Sequence, residues 1–160
     1  MTSPDLQGPA AGDPSAALQE VRGLELEREG IAMVLAVSDL RPGRRLVVED
    51  ERALRALLAT FLVSAGFECV EAESVDEALR ALESEAVDVV LSDVHLRTGS
   101  GVDLVERVRT DWPGTAIVLV SGDTLDVASL AVRAGAHGWL AKPFTRREVL
   151  ETVGRAQMRA

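Results

Sequence analysis

Ala86-Val87-Asp88-Val89-Val90-Leu91-Ser92-Asp93 is a run of branched apolar residues that ends on an acid and leads into the loop Val94 to Gly101. A Val/Leu run bounded by polar residues fits a strand buried on both faces, as in the middle of a parallel sheet. A carboxylate at the carboxyl end of such a strand lies where open α/β sheets bind ligands. Taken singly, Asp93 would do no more than begin a turn. Three other apolar strands also end on reactive side chains, which gives the position its weight.

Working outward, strands and helices alternate. Leu46-Val47-Val48 is a strand closing on Glu49-Asp50, and Arg52 to Ala65 is a helix with apolar Leu54, Leu57, Leu58, Phe61 and Leu62, ended by Gly66. Phe67 to Val70 is a second strand. Ser74, with Glu77 three residues on, opens a helix through a capping box, and Ala78, Leu79 and Leu82 form its inner face. After the central strand come a helix from about Val102 to Thr110, stopped by Trp112-Pro113-Gly114, and a strand from Thr115 to Val120 that closes on Ser121-Gly122. Leu125 to Ala134 is a helix capped by Gly135, with Asp123 as its N-cap. Gly138 to Ala141 is a short strand ending on Lys142-Pro143, and Thr145 with Glu148 starts a last helix that runs to about Met158. This pattern predicts a doubly wound five-stranded parallel sheet of flavodoxin type over residues 44–158.

Residues 1–43 form an N-terminal extension. Its first 16 or so residues are Pro, Gly, Ala and Ser without periodicity and are expected to be disordered. Ala17 to Glu29 has the weak apolar spacing of a short helix, and Ile31 to Val37 fits either a strand or the continuation of that helix.

Composition sets outer limits. Of the 160 residues 47% are apolar, which is a globular composition. The longest wholly apolar run, Ile31 to Val37, falls far short of the ~20 residues of a spanning helix, and the start lacks the basic region of a signal peptide. A single cysteine, Cys69, fits a reducing cytoplasm. The net charge of −9 argues against direct nucleic-acid binding. Among 17 basic residues Lys142 is the only lysine, so it is a candidate for a task that arginine cannot perform.

Right-handed crossovers would gather Glu49, Asp50, Asp93, Ser121 and Lys142 along one rim. Three converging carboxylates repel one another and call for a cation. Hard oxygen donors without His or Cys suit Mg²⁺. A metal, an ammonium and a hydroxyl around one carboxylate suggest phosphoryl chemistry, with Asp93 as the acceptor and Lys142 and Ser121 balancing charge on the phosphoryl oxygens. Gly122 leaves room for that group.

In this order and spacing, Val47-Val48-Glu49-Asp50-Glu51, Val90-Leu91-Ser92-Asp93, Val118-Leu119-Val120-Ser121-Gly122 and Lys142-Pro143-Phe144 resemble the receiver domain of bacterial two-component response regulators. The resemblance covers about Arg45 to Gln157. It implies that Asp93 accepts a phosphoryl group from a histidine kinase or a phosphotransfer protein. It further implies that Asp50 and Asp93 bind Mg²⁺ directly, with Glu49 acting through water and the backbone carbonyl of His95 completing the set. Ser121 would be the switch hydroxyl, Trp139 would stand at the aromatic switch position, and Lys142 would contact the phosphate. Departures occur after the acceptor, where the common Met-Pro pair is replaced by Leu96-Arg97; Gly99 is expected to loosen this loop, and Arg97 to face solvent or a partner. The side chain of His95 is expected to face solvent at the mouth of the site.

Two other functions fit the same residues: a degenerate receiver that binds partners without phosphate, and an aspartate-nucleophile phosphatase. Such phosphatases generally carry a second acid two residues after the nucleophile, where this chain has His95. No basic helix-turn-helix follows the last helix, so output is expected to pass through a protein partner. The face of the fourth helix, fifth strand and fifth helix is the expected surface and a possible dimer contact. Residues 18–40 would be a dimerisation element or the remnant of a hybrid kinase.

Overall fold

The computed structural model describes residues 43–122 and 126–160. The expected elements at 17–29 and 31–37, and the proposed N-cap Asp123, lie outside the described residues. Five strands, β1 (Arg44–Val48), β2 (Glu68–Ala72), β3 (Val89–Asp93), β4 (Ala116–Ser121) and β5 (Gly138–Ala141), form one sheet in the order β2-β1-β3-β4-β5. All four pairings are parallel, in the flavodoxin-like arrangement. The helices are α1 (Arg52–Ser64), α2 (Val75–Ser84), α3 (Gly101–Asp111), α4 (Val127–Ala134) and α5 (Arg146–Arg159).

The sheet has two buried faces, which is why its strands read as continuous apolar runs. Leu46, Val48, Val90, Ile117 and Leu119 join Ala78 and Leu82 of α2, Leu104, Val105 and Val108 of α3, and Val127 and Ala131 of α4 in one core. The alternate residues Val47, Leu91 and Val118 are also fully buried; helices α1 and α5, which touch each other, pack on this opposite side. With three helices on one face and two on the other, every strand end carrying a polar side chain is left at the same open rim.

Several boundaries differ from the sequence pattern for identifiable reasons. β2 starts at Glu68 because the Phe67 amide instead closes α1 by donating to the Leu62 carbonyl at 3.2 Å. It continues to Ala72, whose carbonyl accepts from the Glu49 amide at 3.0 Å. β3 is bounded at Val89, just after Asp88, whose amide donates to the Arg44 carbonyl and whose carbonyl accepts from the Ala116 amide, both at 2.9 Å, while its carboxylate takes the Arg44 amide at 3.0 Å. Only half of the capping box at α2 forms: Ser74 Oγ accepts from the Glu77 amide, whereas the Glu77 carboxylate reaches the amide of Glu73. The box at Thr145 and Glu148 is complete. Leu57, expected on the inner face of α1, is 43% exposed. It lines a shallow groove with Leu54, Pro143 and Phe144.

One structural residue escapes the pattern altogether. Arg45 is fully buried in β1, stacked 4.0 Å over the Phe67 ring, hydrogen bonded to Gln157 Oε1 at 2.9 Å and 3.8 Å from Asp88 Oδ2. Burial holds its guanidinium below the usual arginine range, against the opposing pull of Asp88. Truncation strips the cover from Phe67 and strands Gln157, so Arg45→Ala should cost about 2–4 kcal/mol in urea unfolding. Arg45→Met should cost less, because a long apolar chain replaces the packing without a buried charge. Equal losses in the two variants would show that the charge, and not the packing, matters here.

Candidate functional site

The rim is built by the chain leaving β1, β3, β4 and β5. Glu49 follows β1 directly and is 2% exposed; Asp93 ends β3 and is 7% exposed. Oxygens of Glu49, Asp50 and Asp93 all lie within 4.8 Å of one another. Backbone donors and one arginine set this geometry. The Glu51 amide donates to Glu49 Oε1 at 3.1 Å, and Arg55 Nη1, one turn into α1, donates to the Glu49 carbonyl at 2.8 Å. Ser92 Oγ, fully buried, donates to the Asp93 carbonyl at 3.0 Å. Neither Arg55 nor Ser92 stood out in the sequence, because their roles depend on backbone carbonyls that no motif records.

Lys142 lies just beyond β5, where its amide donates to the Ser121 carbonyl at 2.8 Å and the Lys142–Pro143 peptide is cis. Its Nζ donates to Asp93 Oδ2 at 2.8 Å and to Glu49 Oε2 at 3.2 Å. Asp93 Oδ1 accepts from the His95 amide at 3.1 Å, so each carboxylate oxygen has a donor. The His95 side chain is exposed at the mouth, as its loop position suggests.

Charge is imperfectly balanced. Burial, reinforced by Asp93 and opposed by the Glu51 amide and Lys142, pushes the Glu49 carboxyl up to about 7. Burial pulls the Lys142 ammonium down, but the hydrogen bond and charge of Asp93, together with Glu49, outweigh it and hold the group above its usual value. One ammonium therefore does not neutralise the cluster. The donor set is three hard carboxylates with no thiolate or imidazole, which fits an oxygen-seeking divalent cation.

The loop after Asp93 is not loose. His95 and Ser100 form an antiparallel bridge, the Gly101 amide and Ser100 Oγ both donate to the Val94 carbonyl, and Leu96 is buried. Gly99 makes this closure possible at φ +110°, a backbone that side chains rarely adopt. A Cβ at Gly101 would run into the Asp93 carbonyl oxygen, so glycine there lets α3 start directly against the end of β3. Arg97 is exposed as expected, but its amide donates to Asp50 Oδ2 at 2.9 Å and its Nε lies 3.9 Å from the same oxygen.

Ser121 ends β4 and is 2% exposed. A Cβ at Gly122 would meet no atom within 4 Å, which leaves open space beside the Ser121 position. Trp139, paired with Leu119 in the β4–β5 register, is 43% exposed.

The sequence model described as the response regulator receiver domain matches residues 46–154. The chain belongs to the response regulator receiver family. This receiver is 39% identical over 111 residues to the response regulator protein FleR of Pseudomonas aeruginosa, covering 69% of this chain and 24% of FleR. The chain thus spans about a quarter of the length of the curated relatives it matches. A response regulator from Burkholderia pseudomallei, whose crystal structure has a phosphorylated aspartic acid and a calcium ion, superposes with a TM-score of 0.65 at 27% identity, over 73% of this chain and 71% of that one. The beryllofluoride-activated NtrC4 receiver domain dimer gives 0.67 at 27% identity, over 72% and 97%. The family works in two-component phosphorelay signalling and is not in itself an enzyme family. Among the described residues no helix is long and apolar enough to cross a membrane.

Proposed function

We propose that residues 44–158 are a phosphoacceptor switch in which Asp93 takes a phosphoryl group from a phosphohistidine on a histidine kinase or phosphotransfer protein. The observation that most supports this is Lys142 Nζ bridging Asp93 and Glu49 inside a cluster of three carboxylates. In the transfer a carboxylate oxygen of Asp93 forms a bond to phosphorus while the phosphorus–nitrogen bond of the donor breaks, leaving the acyl phosphate and a free imidazole. Glu49, Asp50, Asp93 and the His95 carbonyl would hold Mg²⁺, which neutralises phosphoryl oxygens when bound. Lys142 offers a compact ammonium on a flexible stem and can stay with Asp93 as the charge on that side chain grows. Hydrolysis of the acyl phosphate by water, an autophosphatase step, returns the site to its starting state. The location consistent with this function is the cytoplasm, and the partners are a kinase and a downstream protein reached through α4, β5 and α5, a face that also suits a dimer. Residues 1–43 are then an extension outside the switch.

In the switch itself the Ser121 hydroxyl moves toward the phosphoryl group and Trp139 follows inward, a shift between two packings. The chain has two tryptophans and no tyrosine, so emission reports Trp139 and Trp112 alone. Trp112 packs against the core at the end of α3. Since Trp139 starts exposed, Mg²⁺ with beryllofluoride should shift its emission to the blue. The shift should vanish in Trp139→Phe and persist in Trp112→Phe. A signal that follows Trp112, or none although the analogue binds, would remove Trp139 from the switch.

A further inference from the structure

We propose that the Arg97 guanidinium is a built-in competitor of the divalent cation, so that this receiver binds magnesium more weakly at low salt, and with a shallower salt dependence, than its carboxylates alone would. The inference rests on the metal-binding role proposed above for Glu49, Asp50 and Asp93.

The three carboxylates differ in access. The side chains of Glu49 and Asp93 are 2% and 9% exposed and are tied from the inside by Lys142. The Asp50 side chain is 22% exposed, so the cluster opens to solvent on its side. Arg97 stands there. Its backbone amide is bonded to Asp50 Oδ2 and its Nε lies 3.9 Å from that oxygen.

The position is built and not incidental. The neighbouring Leu96 is buried, and the His95–Ser100 bridge closes the loop around it, so residue 97 cannot withdraw from Asp50 without opening the loop. The side chain beyond this fixed backbone is 83% exposed. An exposed ion pair of this kind adds little to fold stability. Its effect falls instead on an incoming charge of +2. Repulsion between a guanidinium and a divalent ion ~6 Å apart in a water-like dielectric corresponds to about 3–10-fold in affinity at low salt. Salt screens the interaction between such exposed charges, so the effect should fade as ionic strength rises.

Isothermal titration of Mg²⁺ into the full chain at about 20 mM and about 0.5 M salt tests this. At low salt Arg97→Ala should bind about 3–10-fold more tightly than wild type, with Arg97→Lys within about twofold of wild type. At high salt the alanine variant and wild type should converge. Unchanged or weaker binding in Arg97→Ala at low salt would overturn the competitor role while leaving the metal site standing. A wild-type protein that takes up no Mg²⁺, with no uptake in either variant, would overturn the metal-binding role itself and this inference with it.

Discussion

Replacing Lys142 by alanine is expected to slow phosphoryl uptake from a small phosphodonor about 10²–10³-fold, the loss typical of removing one preorganised charge-stabilising donor. The ammonium donates to Asp93 and Glu49 at once, so its removal takes a fixed positive charge away from two nearly buried carboxylates. The incoming phosphoryl oxygens would then lose the preorganised positive charge on that side of Asp93. Lys142→Arg separates charge from shape. Arginine keeps the charge but presents a rigid planar fork, whereas the native contacts converge from two directions on a single nitrogen. The arginine variant should therefore stay folded and remain slow, with the beryllofluoride-induced emission change reduced or lost. Wild-type rates in Lys142→Arg would show that any cation suffices, and that the lone lysine of the chain has no special task.

Magnesium should raise the melting temperature by an amount that depends on pH. A ligand that binds only the folded state at 100 times its dissociation constant stabilises by about 2.7 kcal/mol, of the order of 10 °C for a domain of this size. Glu49, pushed up to about 7 against an ordinary value of 4.5, sets the window. Between these values the metal-free folded state holds a proton that the unfolded chain has lost, so this group makes the metal-free protein more stable as pH falls from 7 toward 4.5. Bound metal requires the ionised carboxylate, so Mg²⁺ affinity should fall over the same range. The metal-induced rise in melting temperature should be large at pH 8 and small at pH 5.5. Glu49→Gln should flatten that dependence, and Asp50→Ala should abolish most of the rise. A rise independent of pH would mean that Glu49 is already ionised in the metal-free protein.

The parts legible in the sequence were those fixed by period and by strand-end chemistry. Val89 to Leu91 and Ile117 to Val120 read as buried strands because both faces of the sheet are covered, and such strands cannot alternate. Asp93 and Lys142 stood out because each ends or follows such a strand. What stayed hidden depends on contacts between segments far apart in the chain. Arg45 looks like a surface residue at a domain edge until Phe67 and Gln157, 22 and 112 positions away, close over it. Gly99 suggests a loose loop, yet it supplies the one backbone angle that lets His95 and Ser100 pair and lock the loop shut. The tie between Arg97 and Asp50 spans 47 positions and runs through a backbone amide, which no side-chain motif encodes.

That Asp93 is a phosphoacceptor can be checked by intact-protein mass spectrometry after incubation with a small phosphodonor such as acetyl phosphate. Wild type with Mg²⁺ should gain the mass of one phosphoryl group, lose it on exposure to hydroxylamine as an acyl phosphate does, and gain nothing when a chelator removes the metal. Asp93→Asn should gain nothing under any of these conditions. Equal incorporation in wild type and Asp93→Asn, or incorporation unaffected by the chelator, would contradict the assignment.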